Sequence, residues 1–117
     1  MRVVVQRVSS AFVKVNGEQV GKIGMGLALL IGIAETDTEA DIEFVATKCS
    51  ELRIFQDDQQ KMNLSLLEVG GEILSISQFT LLGDTKKGRR PSFIKAAEPD
   101  KADEYYQYFN HLFFLIL

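Results

Sequence analysis

The sequence predicts an α+β domain of mostly antiparallel strands with helices covering one face. Three observations carry that prediction. The first third is a succession of short, β-branched runs broken at turn residues. Two later stretches, Ile42–Cys49 and Tyr105–Ile116, switch to helical apolar spacing. The chain has 117 residues, 46% hydrophobic and 25% charged, enough for one real core and too apolar for disorder. Residues 1–117 are therefore read as a single domain.

Taken in order, RVVVQRV (Arg2–Val8) is β-branched and strand-like. AFVKV and EQVGKI flank Asn16-Gly17, a hairpin signal because both residues tolerate positive φ. GLALLIGIA (Gly26–Ala34) is continuously apolar, the pattern of a strand covered on both faces. After Thr36, with Glu39 completing a capping box, Ile42, Val45, Ala46 and Cys49 form one helical face opposite Asp41, Glu43 and Lys48. Cys49 reads as a core residue, and a lone cysteine points to a reducing compartment. LRIF is a short strand, QDDQQK a polar loop, and MNLSLLEV leads to a Gly70-Gly71 turn. EILSISQFTL continues as a strand to Leu81, and GDTKKGRRPSF is an irregular loop. Asp100 caps a last helix whose apolar face is Tyr105, Tyr106, Phe109, Leu112, Phe113 and Ile116.

Several functions are excluded. MRVVVQRV is too short and polar for a signal peptide, and LFFLIL (Leu112–Leu117) falls far below the roughly 20 apolar residues of a membrane span. A cytoplasmic protein without membrane contact is expected. The net charge of −3 argues against a globally basic nucleic-acid coat. His111, the only histidine, lies on the polar side of the final helix, so no His-based triad with Ser77 or Thr80 is expected. One Cys and one His are too few for a structural zinc site. Asp57-Asp58, beside Gln59, Gln60 and Lys61, reads as a solvated loop and not a metal site. GKIGMG lacks the strand-then-helix context of a nucleotide fingerprint. Neither metal nor cofactor is expected.

One stretch breaks the pattern. In LSISQFTLLGD (Leu74–Asp84), the alternation ends with Ser77, Gln78 and Thr80 around a single Phe79, where apolar sequence gives way to glycine and charge. Close behind, Lys86, Lys87, Arg89, Arg90 and Lys95 crowd one segment with Asp84 the only acid. Such a loop concentrates positive potential, and phosphates are the usual recipients. A solvated loop serving solubility is the alternative. Gly88 and Pro91 suggest a fixed loop shape.

SQFTL (Ser77–Leu81) followed by KKGRRPSF (Lys86–Phe93) resembles the D-aminoacyl-tRNA deacylases, also called D-tyrosyl-tRNA deacylases. VVVQRVSSAFVKVNGE, GLALLIGIA, RIFQDDQQKMNLSL and EPDKADEYYQYF agree with that family in order and spacing, to about residue 110. The resemblance implies a homodimeric, barrel-like α+β domain. It implies hydrolysis of the ester joining a D-amino acid, or glycine mischarged on tRNA(Ala), to the 3′ end of tRNA, a chirality proofreading step in translation. Backbone N–H groups of Phe79 and Thr80, with Ser77 and Gln78, are then expected to hold the ester and the developing oxyanion, while the terminal ribose 2′-OH helps activate water. Thr80 lacks an evident base, which disfavours it as nucleophile; a positioning and a purely structural role both stay open. Arg7 matches an arginine that braces the partner subunit's specificity loop, a surface strand charge being the alternative. Met62, Asn63 and the segment Phe93 through Ala97 resemble pocket walls, with core packing the alternative for Met62 and Phe93. Arg89, Arg90 and Lys95, with Pro91 and Ser92 between them, resemble a segment contacting acceptor-stem or CCA phosphates.

The resemblance also implies a later NxGPVT-like segment whose Gly–cis-Pro pair excludes L-amino acids. Here Pro91 follows Arg90 and Pro99 follows Glu98, so neither proline makes a Gly-Pro pair. The chain is accordingly read as C-terminally shortened, with its chirality filter absent and its activity in question. Phe114, Leu115 and Leu117 fall off the buried stripe of the last helix. They read either as cover for surface that further strands protect or as the scar of a shortened gene. A non-catalytic tRNA-binding relic is the alternative function.

Overall fold

A computed structural model describes residues 1–116. Seven strands and three helices follow one another: β1 (Arg2–Val8), β2 (Ala11–Val15), β3 (Glu18–Ile23), β4 (Gly26–Gly32), α1 (Glu39–Glu51), β5 (Phe55–Gln56), β6 (Met62–Leu64), α2 (Leu66–Val69), β7 (Glu72–Ser77) and α3 (Pro99–Ile116). The α+β class is as expected from the sequence. A 3₁₀ turn, Phe79–Leu82, follows β7.

The strands form three ladders, of order β1-β4-β7, β2-β3 and β5-β6. β1 runs antiparallel to β4, and both two-stranded ribbons are antiparallel. Among the described residues only β4 and β7 pair in parallel, and the connection between them contains α1, as a parallel pairing requires a crossover. Asn16 (φ 52°) and Gly17 (φ 80°) close the β2-β3 hairpin in the left-handed conformations predicted for them.

Strand alternation sets the two faces of the central sheet. Leu27, Leu29 and Ile31 are fully buried and share a core with Ile42, Ala46 and Cys49 of α1 and Phe109 and Phe113 of α3. Each of the Leu, Ile and Phe side chains contributes roughly 1.5–3 kcal/mol by leaving water, so this layer dominates stability. Phe109 and Phe113 add an edge-to-face contact at 5.0 Å. On the other face Ala28 and Leu30 are half-buried and Val4 is exposed, so β4 is fully covered on one side only. Burial pushes the Cys49 thiol up to about 11, which suits a core residue and not a nucleophile.

Several boundaries differ from the expectation. The α1 capping box is Thr38 with Asp41, not Thr36 with Glu39. Asp37 decides this: its carboxylate accepts from the Met1 ammonium and from the Ala34 N–H, both at 2.7 Å, and so sits buried just before the helix. In LRIF only Phe55 pairs, and MNLSLLEV divides into β6 and the short α2, capped by Ser65 and closed by left-handed Gly70. α3 begins at Pro99, where a residue lacking an N–H costs nothing, so Asp100 lies inside its first turn. Phe114 and Leu115 are exposed, as their spacing predicts; Leu117 lies outside the described residues. Among the described residues no helix is long and apolar enough to cross a membrane.

Candidate active site at the end of the central sheet

β4 and β7 stop side by side, with Ile31 opposite Ser77. The Gln78 N–H donates to the Ile31 carbonyl at 2.7 Å, and the chain then coils into the 3₁₀ turn. The strand expected to run to Leu81 therefore ends at Ser77. Gly32 permits the departure. A Cβ at that position would meet Leu82 Cδ2 at 2.5 Å and the Gln78 carbonyl oxygen at 3.1 Å, so the turn lies directly on the β4 backbone.

The first N–H groups of a helical turn have no acceptor within it. Here Leu81 N donates to the Gln78 carbonyl at 3.3 Å and Gly83 N to the Thr80 carbonyl at 3.0 Å. The Phe79 and Thr80 amides have no acceptor among the described residues. The Gln78 side-chain amide donates to Thr80 Oγ1, orienting that hydroxyl so that its own proton is free for another acceptor. Phe79, 56% exposed, stacks edge-to-face on Phe93 with ring centroids 5.3 Å apart. Both rings line a cleft of about 540 Å³ with Ser77, Ala97 and Tyr106. Phe93 is thus a cleft wall, and Met62, 66% exposed, is not core packing either.

The basic loop is tied down at its base. Asp84 and Ser92 exchange backbone bonds of 2.9 and 2.8 Å. The Asp84 carboxylate accepts from the Lys86 N–H at 2.9 Å and lies 3.5 Å from Lys95 Nζ. The Lys86 amide first, then Lys95, holds that carboxyl below the usual carboxylate range. Further on, Lys95 O accepts from Glu35 N and Ala97 N donates to Ile33 O, each at 2.9 Å. Between these anchors Arg89, Arg90 and Pro91 are exposed, and Lys86, Lys87, Arg89, Arg90 and Lys95 border a basin of about 660 Å³.

Arg7, Met62 and Asn63 sit elsewhere within this chain. Arg7 pairs in register with Leu27, four positions before Ile31 on β4, or about 13 Å along the strand. Its guanidinium donates to the Ile54 carbonyl at 2.6 Å. Neighbouring Arg53 holds the Asn63 carbonyl at 2.8 Å, and the Asn63 amide donates to Asp57 at 3.1 Å. Asp57 also accepts from Gln59 N and Lys61 N, so its carboxylate organises a turn. His111 is exposed on α3.

Two residues were missed. Arg2 donates through Nη1 to the Leu81 carbonyl at 2.9 Å, joining β1 to the turn. Tyr106, read as part of an apolar face, lines the cleft and donates its hydroxyl to the Ser75 carbonyl at 2.8 Å. Tyrosine's polar tip was the available signal for Tyr106; Arg2 offered none.

The family model described as D-Tyr-tRNA(Tyr) deacylase matches residues 4–114. A D-aminoacyl-tRNA deacylase of Bacillus licheniformis is 58% identical over 112 residues, covering 96% of this chain and 76% of the relative. One of Natranaerobius thermophilus is 61% identical over 109 residues, covering 93% and 73%. Among solved structures, a c-Myc DNA unwinding element binding protein superposes with a TM-score of 0.87 at 40% identity, covering 93% of this chain and 73% of that one. A probable eukaryotic D-amino acid tRNA deacylase shares the fold, with a TM-score of 0.78 at 23% identity over 93% of this chain and 64% of that one. By that match over residues 4–114, and by relatives near 60% identical, the chain belongs to the D-aminoacyl-tRNA deacylase family.

Proposed function

We propose that this chain hydrolyses the ester joining a D-amino acid to the 3′ end of tRNA, releasing free amino acid and tRNA. The observation that carries the reading is the pair of unpartnered amides, Phe79 and Thr80, on a turn whose Phe79 lines an aromatic-walled cleft without a histidine. They bind the ester carbonyl and, more strongly, the oxyanion that forms when water attacks. Donors of this kind are typically worth about 3–4 kcal/mol each in the transition state. Thr80 Oγ, fixed by Gln78, positions the substrate as a hydrogen-bond donor. Water is the nucleophile, assisted by the ribose 2′-OH of the substrate; the cleft's carboxylates, Glu98 and Asp103, stand at the start of α3 and not on the Phe79–Thr80 turn. The Phe79 and Phe93 rings pack against the terminal adenosine, and Arg89, Arg90 and Lys95 take phosphates of the acceptor end.

A homodimer is part of this reading, with Arg7 bracing the partner subunit's specificity loop and Met62 and Asn63, on the β5-β6 ribbon, contributing pocket wall. Glycine, being achiral, enters the same cleft. Purified chain is incubated with D- and L-tyrosyl-tRNA, and release of free tyrosine is compared with spontaneous hydrolysis. Accelerated loss of the D-ester supports the proposal. Binding that falls steeply with salt, and no acceleration even with the chain in excess over substrate, contradicts it in favour of a non-catalytic tRNA-binding protein.

A further inference from the structure

We infer that Arg2 is a positioning residue for this reaction: it holds the Phe79–Leu82 turn, and with it the two substrate-facing amides, against the sheet. The inference rests on the deacylase reading but on different atoms. A four-residue 3₁₀ turn has few internal bonds and poor hydrogen-bond geometry, so its placement depends on what grips its ends. The entry is gripped by β4, through Gln78 N on the Ile31 carbonyl at 2.7 Å. At the exit the Thr80 carbonyl is taken by Gly83 N, and the donor to the Leu81 carbonyl is Arg2 Nη1, from β1, at 2.9 Å. Bonds from two different strands thus bracket the Phe79 and Thr80 amides. Arg2 stands opposite Gly32 in the β1-β4 register, the position over which the turn crosses. A charged donor on a carbonyl is about twice as strong as a neutral one, and the planar guanidinium loses little freedom in making it. The same guanidinium borders a cleft of about 220 Å³ with Thr85, Lys86 and Lys95, which makes phosphate binding the competing role.

Two variants separate these roles. Arg2→Met keeps most of the aliphatic stem, and Arg2→Lys keeps one charged donor. Each is assayed on D-tyrosyl-tRNA and on 3′-D-tyrosyl-adenosine, which carries no phosphate. Arg2→Met is expected to lower kcat about 10–100-fold on both substrates, the range for one lost charge-assisted hydrogen bond, with KM little changed. Arg2→Lys is expected to recover most of that loss. Amide hydrogen exchange at Leu81 and Gly83 should quicken in Arg2→Met and stay slow in Arg2→Lys. A defect confined to the KM for tRNA, with the adenosine ester hydrolysed normally, overturns the inference and assigns Arg2 to phosphate contact. Unchanged exchange in the turn overturns it as well. If the unaltered chain hydrolyses neither substrate, the deacylase reading fails, while the exchange rates still decide whether Arg2 holds the turn.

Discussion

The two ends of β4 are built alike and finish differently. Each begins from a glycine pressed against β7 or its continuation. At Gly26 a Cβ would lie 1.9 Å from the Glu72 carbonyl oxygen, and at Gly32 it would meet Leu82 and the Gln78 carbonyl. Around Gly26 the local polar groups bond one another: Glu72 N donates to Met25 O at 3.0 Å and Gly24 N to the Glu72 carboxylate at 3.1 Å. Arg7 and Arg53 are likewise committed to the Ile54 and Asn63 carbonyls. Around Gly32 the chain leaves the ladder into a turn whose first two amides stay open. Phe79 and Thr80 are exposed, so these amides are left to solvent or to a ligand at little cost to stability. Close packing of backbone on backbone accompanies a bonded ladder at one end and two open donors at the other.

Substitutions at the two glycines should therefore separate. The larger effect is expected from Gly26→Ala, where the new methyl meets β7 backbone that cannot yield. A loss of about 3 kcal/mol or more in urea unfolding is expected. Activity should fall only as far as the folded fraction does. Gly32→Ala meets a movable leucine end first, so its stability cost should be smaller, about 1–3 kcal/mol. Yet the turn must shift, and a displacement near 1 Å should cost about 100-fold in kcat on D-tyrosyl-tRNA. If both variants lose activity merely in proportion to unfolding, the functional difference between the ends disappears.

Arg89→Ala should produce the smallest change. Arg89 lies on the loop beyond the turn, exposed, and touches neither glycine. Its loss should leave kcat unchanged and reduce the slope of log K against log salt by about 1 for tRNA binding. The loop should also depend on acid pH. Because Asp84 is held below the usual carboxylate range by the Lys86 amide and Lys95, its contribution is present above the unfolded value. It is lost as pH falls through the lowered folded one.

Much of this was legible locally. GLALLIGIA announced a strand, though one fully covered on one face and not both, and Asn16-Gly17 a hairpin, because each depends on residues adjacent in sequence. The candidate site residues Ser77–Thr80 stood out because polar groups interrupt an apolar alternation. The turn did not, since LSISQFTL keeps strand-like spacing through Leu81 and the bend depends on Gly32 and Arg2, far away in sequence. The α1 boundary was misplaced for a similar reason. Thr36 with Glu39 and Thr38 with Asp41 offer the same local signature, and the buried Asp37–Met1 pair selects between them.

The central claim is that main-chain donors, and no reactive side chain, hold the ester. Backbone amide shifts and exchange rates can be followed as a non-hydrolysable, amide-linked D-aminoacyl-adenosine is titrated into the chain. The account predicts that the Phe79 and Thr80 amides shift most and become protected from exchange. It is contradicted if those two amides stay unmoved while the perturbations gather elsewhere, such as the groove between Ile73, Ser75, Asn110 and Phe113.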